Sequence, residues 1–381
     1  MAKTGFAGLS PAEFLRRHWQ KKPLLARNAL PGCAGLVQRA TLFELAARDD
    51  MESRLVRRQG RRWSVNHGPF DRRALERLPR SGWTLLVQGV DHALPAAWKL
   101  LGAFSFIPYA RLDDLMVSYA PPGGGVGPHF DNYDVFLVQG EGQRRWRASR
   151  QRDLELVAGA PLRILLHFHP TREWVLRPGD ALYLPPRCAH DGIAVGGDCI
   201  TYSVGFRAPD AQETVARFLE YLQDKLRVTG RYADPELEPR RRPARIGDDM
   251  AWKVRAFLSR VRWNDRDVLR FLGCTLTEPK PHVVFSRPPR PLPARSFLAR
   301  AARDGVRLAA STRMLFRDGA LYINGEACAA GRSGARLLSK LADRRSLPPL
   351  HRPDRESAEL LYEWYRAGYI ELDAGESNEE C

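Results

Sequence analysis

The order of apolar and polar residues divides the chain into a β-rich segment and a largely helical remainder. From about residue 82 to residue 207, short runs of β-branched and aromatic residues alternate with Gly, Pro and Asp, at a spacing of roughly ten residues. Examples are GWTLLVQGV, YDVFLVQG, LRILLHF and ALYLPP. This spacing predicts a mainly β sandwich or barrel rather than alternating βαβ units.

Helices are predicted before and among these strands. Ser10 suits the N-cap position and Pro11 the first position of a helix within residues 10–27. Residues 41–50 and 94–101 are also predicted to be helical. The β-rich segment therefore carries helices in its N-terminal part.

A second set of helices is predicted after the strands. Asp210 can cap a helix with apolar residues at helical spacing, and two amphipathic stretches follow at residues 248–263 and 265–276. Three helices without a strand predict a small module, either a dimer interface or a unit packed on the parent chain. After a Pro-rich linker, residues 296–372 combine short helices with a β-ribbon, which is typical of a winged helix.

Composition limits the class of protein. The chain has 381 residues, 44% of them hydrophobic, which is enough for two or three packed domains. We find no apolar run long enough for a transmembrane helix and no apolar core of a secretory signal near the N-terminus. Six scattered cysteines lack the spacing of a disulfide framework or a zinc site. We therefore expect a cytoplasmic protein with reduced thiols and no membrane contact.

Basic residues outnumber acidic ones. The chain has 60 Lys and Arg against 44 Asp and Glu, which gives a formal net charge of +16. Such a charge attracts nucleic acid or a nucleoprotein particle. An Arg-rich composition without any such partner also explains the charge, so the charge supports a function without establishing one.

The segment GPHFDNYDVF places a histidine and an aspartate one residue apart. In a strand, His129 and Asp131 point to the same face, so an imidazole and a carboxylate project together. His190, just beyond the strand ALYLPP, is the candidate for a third ligand. Two histidines and one carboxylate bind Fe(II) on one face of an octahedron and leave three positions open. Each motif taken alone is more often structural.

A competing pair of histidines lies in LLHFHPTREW. His167 and His169 would also share a strand face, and Glu173 follows as a cupin metal site would require. Pro170 ends this strand, however, and predicts that His169 is exposed. The first set of residues is therefore preferred.

The segment QGEGQRRWR follows the His-x-Asp motif. Gly140 and Gly142 predict a tight hairpin turn, so that Arg144 returns on the strand beside the metal ligands with Trp146 on the same face. A buried guanidinium needs an anionic partner. A dicarboxylate that chelates the metal at one end and pairs with Arg144 at the other would supply it.

These motifs together resemble the JmjC-type Fe(II)/2-oxoglutarate oxygenases. The resemblance rests on DDLMVSYAPPGGGVGPHFDNYDVFLVQGEGQRRWR followed by RPGDALYLPPRCAHDG. More narrowly, the chain is similar to the bacterial ribosomal oxygenases of the cupin superfamily. Its segment FLRRHWQKKPLL resembles the N-terminal signature of these proteins. The likeness is strong over residues 10–207, and the order of segments extends it to nearly the full chain.

The resemblance implies a fold that is mainly β with α, built on a double-stranded β-helix core. Residues 1–207 would form the JmjC-type catalytic domain and residues 208–277 a helical, dimerising module. Residues 278–372 would form a winged-helix-like domain, and residues 373–381 an acidic tail.

The resemblance also implies the site residues. His129, Asp131 and His190 would be the iron ligands, and Arg144 would hold the far carboxylate of 2-oxoglutarate, where most JmjC relatives have lysine. One departure concerns Ala120, because the ribosomal oxygenases often have a serine there that helps to hold the co-substrate. That contact is therefore open in this chain, and its neighbours Ser118 and Tyr119 are the residues that could replace it.

The implied activity is hydroxylation of an arginine side chain at carbon 3, in a large-subunit ribosomal protein (number sixteen). A basic substrate favours an acidic cleft, for which Asp113, Asp114 and Asp134 are candidates. The net charge would then serve a contact with ribosomal RNA or nascent particles. The implied enzyme is a cytoplasmic homodimer that needs Fe(II) and 2-oxoglutarate.

Other interpretations stay open at the level of sequence. One is a JmjC oxygenase that acts on a histidyl or methyl-lysyl protein substrate. Another is a non-catalytic, basic ribosome-assembly factor. A winged helix also permits DNA binding, although we see no helix rich in base-reading residues.

Overall fold

The structure, a computed structural model, describes residues 6–60, 62–350 and 353–373. The acidic tail predicted for residues 373–381 lies outside these described residues except for Asp373. None of the helices in the described ranges is long and apolar enough to cross a lipid bilayer.

The helices agree with the caps predicted from sequence. Ser10 caps the first helix in a capping box with Glu13, and Asp210 accepts hydrogen bonds from two backbone amides of the fifth. Both predicted N-caps are therefore confirmed. The helices are α1 (Pro11–Arg17), α2 (Arg39–Ala46), α3 (Arg72–Glu76), α4 (Ala97–Gly102), α5 (Ala211–Lys225), α6 (Asp248–Leu258), α7 (Asp265–Thr277), α8 (Ala294–Asp304), α9 (Arg332–Arg344) and α10 (Arg355–Ala367).

The strands begin well before residue 82, where the sequence analysis placed the first of them. The N-terminal strands are β1 (Leu24–Ala26), β2 (Ser53–Gln59), β3 (Arg62–His67), β4 (Trp83–Val87), β5 (Leu112–Ala120), β6 (Asp134–Ser149), β7 (Arg172–Leu176), β8 (Ala181–Leu184) and β9 (Ala189–Phe206). The C-terminal strands are β10 (Val306–Leu308), β11 (Met314–Arg317), β12 (Ala320–Ile323), β13 (Glu326–Ala329), β14 (Ser346–Leu347) and β15 (Ile370–Leu372).

One large sheet forms the N-terminal half. Within the described residues it has nine strands in the order β1-β8-β6-β9-β5-β4-β2-β3, with β7 also paired to β6, and all neighbours are antiparallel. The long strands β6 and β9 pair with each other and take different partners along their lengths. Strand β6 buries both faces, because Phe136 and Val138 lie in one apolar cluster and Val135 and Leu137 in another.

One hairpin was missed and one strand prediction was wrong. The hairpin of β2 and β3 was missed because its Arg residues hide the apolar alternation, and only β3 lies at the edge of the sheet. The run LRILLHF is not a strand, since Leu165 forms only an isolated bridge with Leu156. Apolar residues alone did not distinguish this loop from a strand.

The predicted hairpin at Gly140 and Gly142 was also wrong. Residues on both sides of these glycines belong to the single strand β6, whose register with β9 shifts between Gln139 and Glu141 and again between Glu141 and Gln143. Gly142 has a φ of +63° at this irregularity. The glycines therefore allow a bulge that bends one long strand, and Arg144 lies further along that strand.

The C-terminal unit has its own apolar core. Helices α8, α9 and α10 pack against the three-stranded sheets β14-β10-β15 and β11-β12-β13, with Phe297, Leu338 and Leu361 fully buried. The helices and the β-ribbon predicted between residues 296 and 372 are confirmed. The final predicted helix ends earlier, at Ala367, because Gly368 adopts a left-handed φ and strand β15 follows.

Candidate metal centre and co-substrate pocket

The His-x-Asp motif lies in extended chain just before β6, rather than within a strand. His129 forms an isolated antiparallel bridge with His190, with backbone N···O distances of 2.9 Å and 2.7 Å in the two directions. Asp131 precedes the first residue of β6 by three positions. The bridge brings residues from distant parts of the chain together, which sequence spacing could not show.

The three side chains converge on one point. Ligand atoms of His129, Asp131 and His190 all lie within 4.8 Å of one another, and His190 Nε2 is 3.6 Å from Asp131 Oδ2. Both imidazoles are oriented by a backbone carbonyl, since Nδ1 of His129 lies 2.9 Å from the oxygen of Gly127 and Nδ1 of His190 lies 2.9 Å from that of Cys188. These bonds leave each Nε2 free to bind a metal. They also fix the orientation of the rings, as hydrogen bonds to the second ring nitrogen do in metalloproteins.

Burial tunes the second histidine for this role. Desolvation and the neighbouring His129 ring lower the pKa of His190 to about 4, although the Asp131 carboxylate opposes the shift. His190 is therefore neutral near pH 7 and keeps a lone pair. Neutral imidazole is the form that coordinates a metal.

Arg144 is buried on the same sheet and has an incomplete set of partners. Its Nε donates to the sulfur of Cys199 over 3.4 Å, while among the described residues its Nη2 has no hydrogen-bond acceptor. Its guanidinium group lies 5.7 Å from the Trp146 ring, and that ring lies 5.8 Å from the ring of His190. A buried, unpaired guanidinium is costly, so this geometry fits an anion held between Arg144 and the metal ligands.

A polar group beside Arg144 was not found from the sequence. Gln139 donates to Cys199 and to the backbone oxygens of Glu141 and Ile200, and it accepts from Thr201. In the sequence, this group was indicated only by polar residues that alternate with apolar ones along two strands. That pattern is weak evidence until the pairing of β6 with β9 places Thr201 beside Gln139.

Ala120 lies close to this pocket. It is fully buried in a small cluster with Ala194 and Cys199, the residue that Arg144 contacts. Ser118 instead donates to the backbone oxygen of Thr201 over 3.4 Å, and Tyr119 donates to Asp198 over 2.6 Å. Both hydroxyl groups are thus already engaged within the protein, and a methyl group stands at the position in question.

The competing histidines are not assembled. His167, His169 and Glu173 are exposed; the two histidines lie in a loop before β7, whereas Glu173 lies within β7. The two rings are stacked with centroids 6.5 Å apart. Among the residues that the structure describes, the only cluster with metal-ligand geometry is that of His129, Asp131 and His190.

The glycines before His129 contact the protein itself. The amide of Gly123 donates to Ala194, and Gly124 accepts from the amide of the same residue, both over 2.9 Å. A Cβ atom at Gly125 would come within 2.6 Å of the backbone oxygen of Gly192. The close approach that these glycines permit is thus to β9.

The three candidate acidic residues have different environments. Asp134 is buried and accepts hydrogen bonds from Tyr183 and Gln20, so it lies in the interior. Asp114 is also buried, 2.8 Å from Lys280. Asp113 is partly exposed and borders a cleft of about 590 Å³.

This cleft, which we call the apolar cleft, reaches the metal-site residues through Tyr133. Partial burial of the side chain, which is still 42% exposed, and the carboxylates of Asp131 and Asp114 raise the pKa of the Tyr133 phenol. The wall opposite is formed by α5, α7 and the linker around Lys280. The apolar cleft therefore lies between the sheet and the helices.

Two protein families match this chain. The JmjC domain family matches residues 99–214, and the ROXA-like winged helix family matches residues 260–371. The chain is 35% identical to the ribosomal protein uL16 3-hydroxylase of Escherichia coli over 320 residues, which cover 82% of this chain and 84% of that protein.

Solved structures show the same fold. An X-ray structure of E. coli YcfD superposes with a TM-score of 0.83 at 30% identity, and the match covers 95% of this chain and 97% of that one. A structure of the same ribosomal oxygenase with cobalt and 2-oxoglutarate gives a TM-score of 0.80 and covers 96% and 99%. The predicted fold, a double-stranded β-helix followed by a winged helix, is confirmed, and the chain belongs to the JmjC-domain ribosomal oxygenases with a ROXA-like winged helix.

Proposed function

We propose that this protein is an Fe(II)- and 2-oxoglutarate-dependent oxygenase that hydroxylates carbon 3 of an arginine side chain in a large-subunit ribosomal protein. The observation that carries the proposal is the convergence of His129, Asp131 and His190 next to a buried guanidinium with a free donor. Two imidazoles and one carboxylate on one side of a metal leave the other positions open to co-substrate and dioxygen.

The residues of the site fit an iron ion and 2-oxoglutarate. In this proposal His129, Asp131 and His190 hold the iron, and Arg144 pairs with the distal carboxylate of 2-oxoglutarate. The chemistry supplied at such a centre is insertion of one oxygen atom of dioxygen into a C–H bond, coupled to conversion of 2-oxoglutarate into succinate and carbon dioxide. The protein's part is to orient the reactants and to exclude water.

The chain's own side chains perform this positioning. The carbonyls of Gly127 and Cys188 hold the two imidazoles with Nε2 toward the centre, and the neutral state of His190 keeps its lone pair available. Trp146 lies between Arg144 and His190 and closes the pocket wall. Arg144 thereby sets the depth at which a dicarboxylate binds.

The apolar cleft is the proposed site for the substrate protein. It adjoins Asp131 through Tyr133 and includes the partly exposed carboxylate of Asp113. This carboxylate lies 3.4 Å from Arg207 and 3.8 Å from Lys280, and a basic side chain of the substrate would replace one of these partners.

One experiment tests this function. The protein is incubated with Fe(II), 2-oxoglutarate and ribosomal protein uL16, and the products are analysed by mass spectrometry and by succinate release. We expect one added oxygen atom on an arginine, with loss of both signals in His129→Ala and Asp131→Ala. The matched control is His167→Ala, which removes an exposed histidine and should leave both signals intact.

The possible outcomes separate the alternatives. Oxygen on a histidine, or loss of a methyl group from lysine, would keep the cofactors and replace the substrate. Equal succinate release by the wild type and His129→Ala would contradict the metal site. A protein without any 2-oxoglutarate turnover would point instead to a non-catalytic assembly factor.

We further infer that the helical module, residues 208–277, forms a homodimer. Helix α6 carries an exposed apolar stripe of Met250, Val254 and Leu258. The same stripe of a second copy of the chain would bury it. We expect Met250→Glu combined with Leu258→Glu to give a monomer by light scattering, whereas Arg255→Glu on the same helix should leave the dimer intact. A wild-type monomer would contradict the inference.

The proposed substrate places the enzyme in the cytoplasm, where ribosomal proteins are made and assembled. The net charge of +16 favours an additional contact with ribosomal RNA. In this proposal the winged-helix-like domain, residues 278–372, packs against the catalytic domain, residues 1–207. It forms a fixed part of the substrate-binding surface.

A further inference from the structure

A second cleft next to the metal-site residues is lined by basic side chains. It has a volume of about 420 Å³, and its walls contain Lys21, Arg150, Arg152 and Arg187 but no carboxylate. We call it the basic cleft. Its floor is the segment Pro185–Cys188, which leads directly to His190.

The basic cleft is in direct contact with the metal-site residues. The backbone amide of Arg187 donates to the carbonyl oxygen of Asp131 over 2.6 Å, and the carbonyl of Cys188 accepts from His190 Nδ1 over 2.9 Å. Arg187 has a φ of +61°, an unfavourable conformation for a residue with a Cβ atom. Backbone strain of this kind is concentrated at binding sites, where the surroundings hold it in place.

The positive charge of the basic cleft is not neutralised by the protein. Within the ranges that the structure describes, none of its four cationic side chains forms an ion pair. The guanidinium of Arg187 lies over the ring of Phe130, as does that of Arg163. The basic cleft therefore holds three guanidinium groups and one ammonium group that have no acidic partner among the described residues.

The number of charges indicates the class of ligand. One acidic side chain would neutralise one guanidinium, whereas the basic cleft presents four cations, and the exposed Arg16 and Arg17 extend the charge along α1. A chain of phosphate groups matches several cations spaced along a surface. Arginine is also the side chain that pairs with phosphate in bidentate geometry.

We propose that the basic cleft binds the phosphate backbone of RNA, and that it holds RNA carried by the ribosomal substrate next to the residue to be modified. The protein part of the substrate would occupy the apolar cleft, which adjoins Asp131 through Tyr133. This division of the surface rests on the proposed function, but the RNA contact itself can be measured without turnover.

The test is the binding of a fluorescein-labelled single-stranded RNA of mixed sequence, followed by fluorescence anisotropy from about 50 to about 200 mM salt. We expect the double variant Arg150→Gln/Arg152→Gln to bind at least about tenfold more weakly and with a salt dependence shallower by about 1.4 in log–log slope, for two lost contacts to a single strand. Arg150→Lys/Arg152→Lys keeps the charge and should retain most of the affinity.

The matched control is Arg295→Gln/Arg300→Gln, which removes two exposed arginines from α8 and the same total charge. Equal losses in the two double variants would mean that affinity follows net charge alone and would overturn the proposal. Unchanged binding by the Arg150/Arg152 variant would overturn it as well. Displacement of the RNA by a glutamate-rich peptide at equal affinity would assign the basic cleft to carboxylates instead.

The His129→Ala variant separates this proposal from the proposed function. It should lose hydroxylation and retain RNA binding. If the wild type binds RNA through the basic cleft but does not hydroxylate uL16, the RNA contact stands and the substrate assignment fails. If hydroxylation occurs and RNA does not bind, only the RNA contact fails.

Discussion

At the scale of single residues, Arg144 connects the fold to the proposed chemistry. It is almost completely buried, with only 3% of its surface exposed, and one of its terminal nitrogens has no acceptor among the described residues. Folding leaves such a group unpaired only at a considerable cost. The cost is offset if a carboxylate from solution completes the pair.

This leads to a prediction for Arg144→Gln. Loss of a charge-assisted pair of about 1.5–3 kcal/mol should raise the KM for 2-oxoglutarate roughly 10- to 100-fold. The KM of Arg144→Lys should lie between those of the wild type and Arg144→Gln, because lysine keeps the charge but not the forked pair of donors. The measurement is succinate release as a function of 2-oxoglutarate concentration.

The control for this series is Arg145→Gln. Arg145 is the next residue of β6 and is directed to the opposite face, so its loss should leave the KM for 2-oxoglutarate near the wild-type value. A KM that is unchanged in Arg144→Gln would contradict the assignment of the distal carboxylate.

At the scale of elements, the bulge in β6 determines where Arg144 lies. The strand pairs with β8 at its start and with β7 at its end, and its register with β9 shifts around Glu141. A shift of one residue would turn every later side chain to the other face. The bulge therefore decides that Arg144 and Trp146, rather than Arg145 and Arg147, lie on the buried face.

We predict that Gly142→Ala is strongly destabilising. Gly142 has a φ of +63°, and an added Cβ atom would collide with the backbone oxygen of Asp198. Gly196→Ala is the control, since it has a φ of +82° but nothing within 4 Å of its Cβ position. Gly196→Ala should cost about 1 kcal/mol for the backbone alone, and Gly142→Ala about 2 kcal/mol more. Denaturant unfolding of both variants measures the difference, and equal costs would show that the bulge tolerates a side chain.

At the scale of the whole molecule, a buried ionic junction joins the winged helix to the catalytic domain. Arg313, just before β11, lies 2.6 Å from Asp91 and 2.9 Å from His92 Nε2. Asp91 also accepts from the amide of Leu115 in β5, and Trp98 donates to the backbone of Ala310. These contacts fix the C-terminal unit against the strand that leads to Ala120.

This junction should make stability depend on pH. Burial, together with Arg313, lowers the pKa of His92 to about 4, although Asp91 opposes the shift. Between about pH 6.5 and pH 4 the unfolded chain binds a proton that the folded protein excludes, so stability falls as the pH falls through this window. Through His92, the free energy of unfolding should be lower at the acidic end of this window by on the order of 3 kcal/mol.

The variant His92→Gln tests this prediction. It keeps an acceptor for Arg313 but cannot titrate, so its free energy of unfolding should decline less between pH 6.5 and pH 4 than that of the wild type. Thermal or denaturant unfolding at a series of pH values gives the slopes. The exposed His167→Gln variant should keep the wild-type slope, and an unaltered slope in His92→Gln would disprove the role of His92.

Much of the architecture could be predicted from the sequence alone because it depends on local patterns. Helix caps at Ser10 and Asp210, the run of short strands and the mixed C-terminal unit all follow from residues close together in the chain. The resemblance carried by the His-x-Asp motif identified the family that the comparisons support. Local rules failed where composition hid the pattern, as in the Arg-rich hairpin of β2 and β3.

Only the tertiary structure decided how distant residues meet. The bridge between His129 and His190, the sulfur of Cys199 beside Arg144, and the bulge that replaces the predicted hairpin depend on the pairing of β6 and β9. The sequence by itself determined which residues were available for a metal and a dicarboxylate. The fold determined that the three candidate ligands converge and that Arg144 is buried on the same sheet, because strand pairing and burial act between segments that are far apart in the chain.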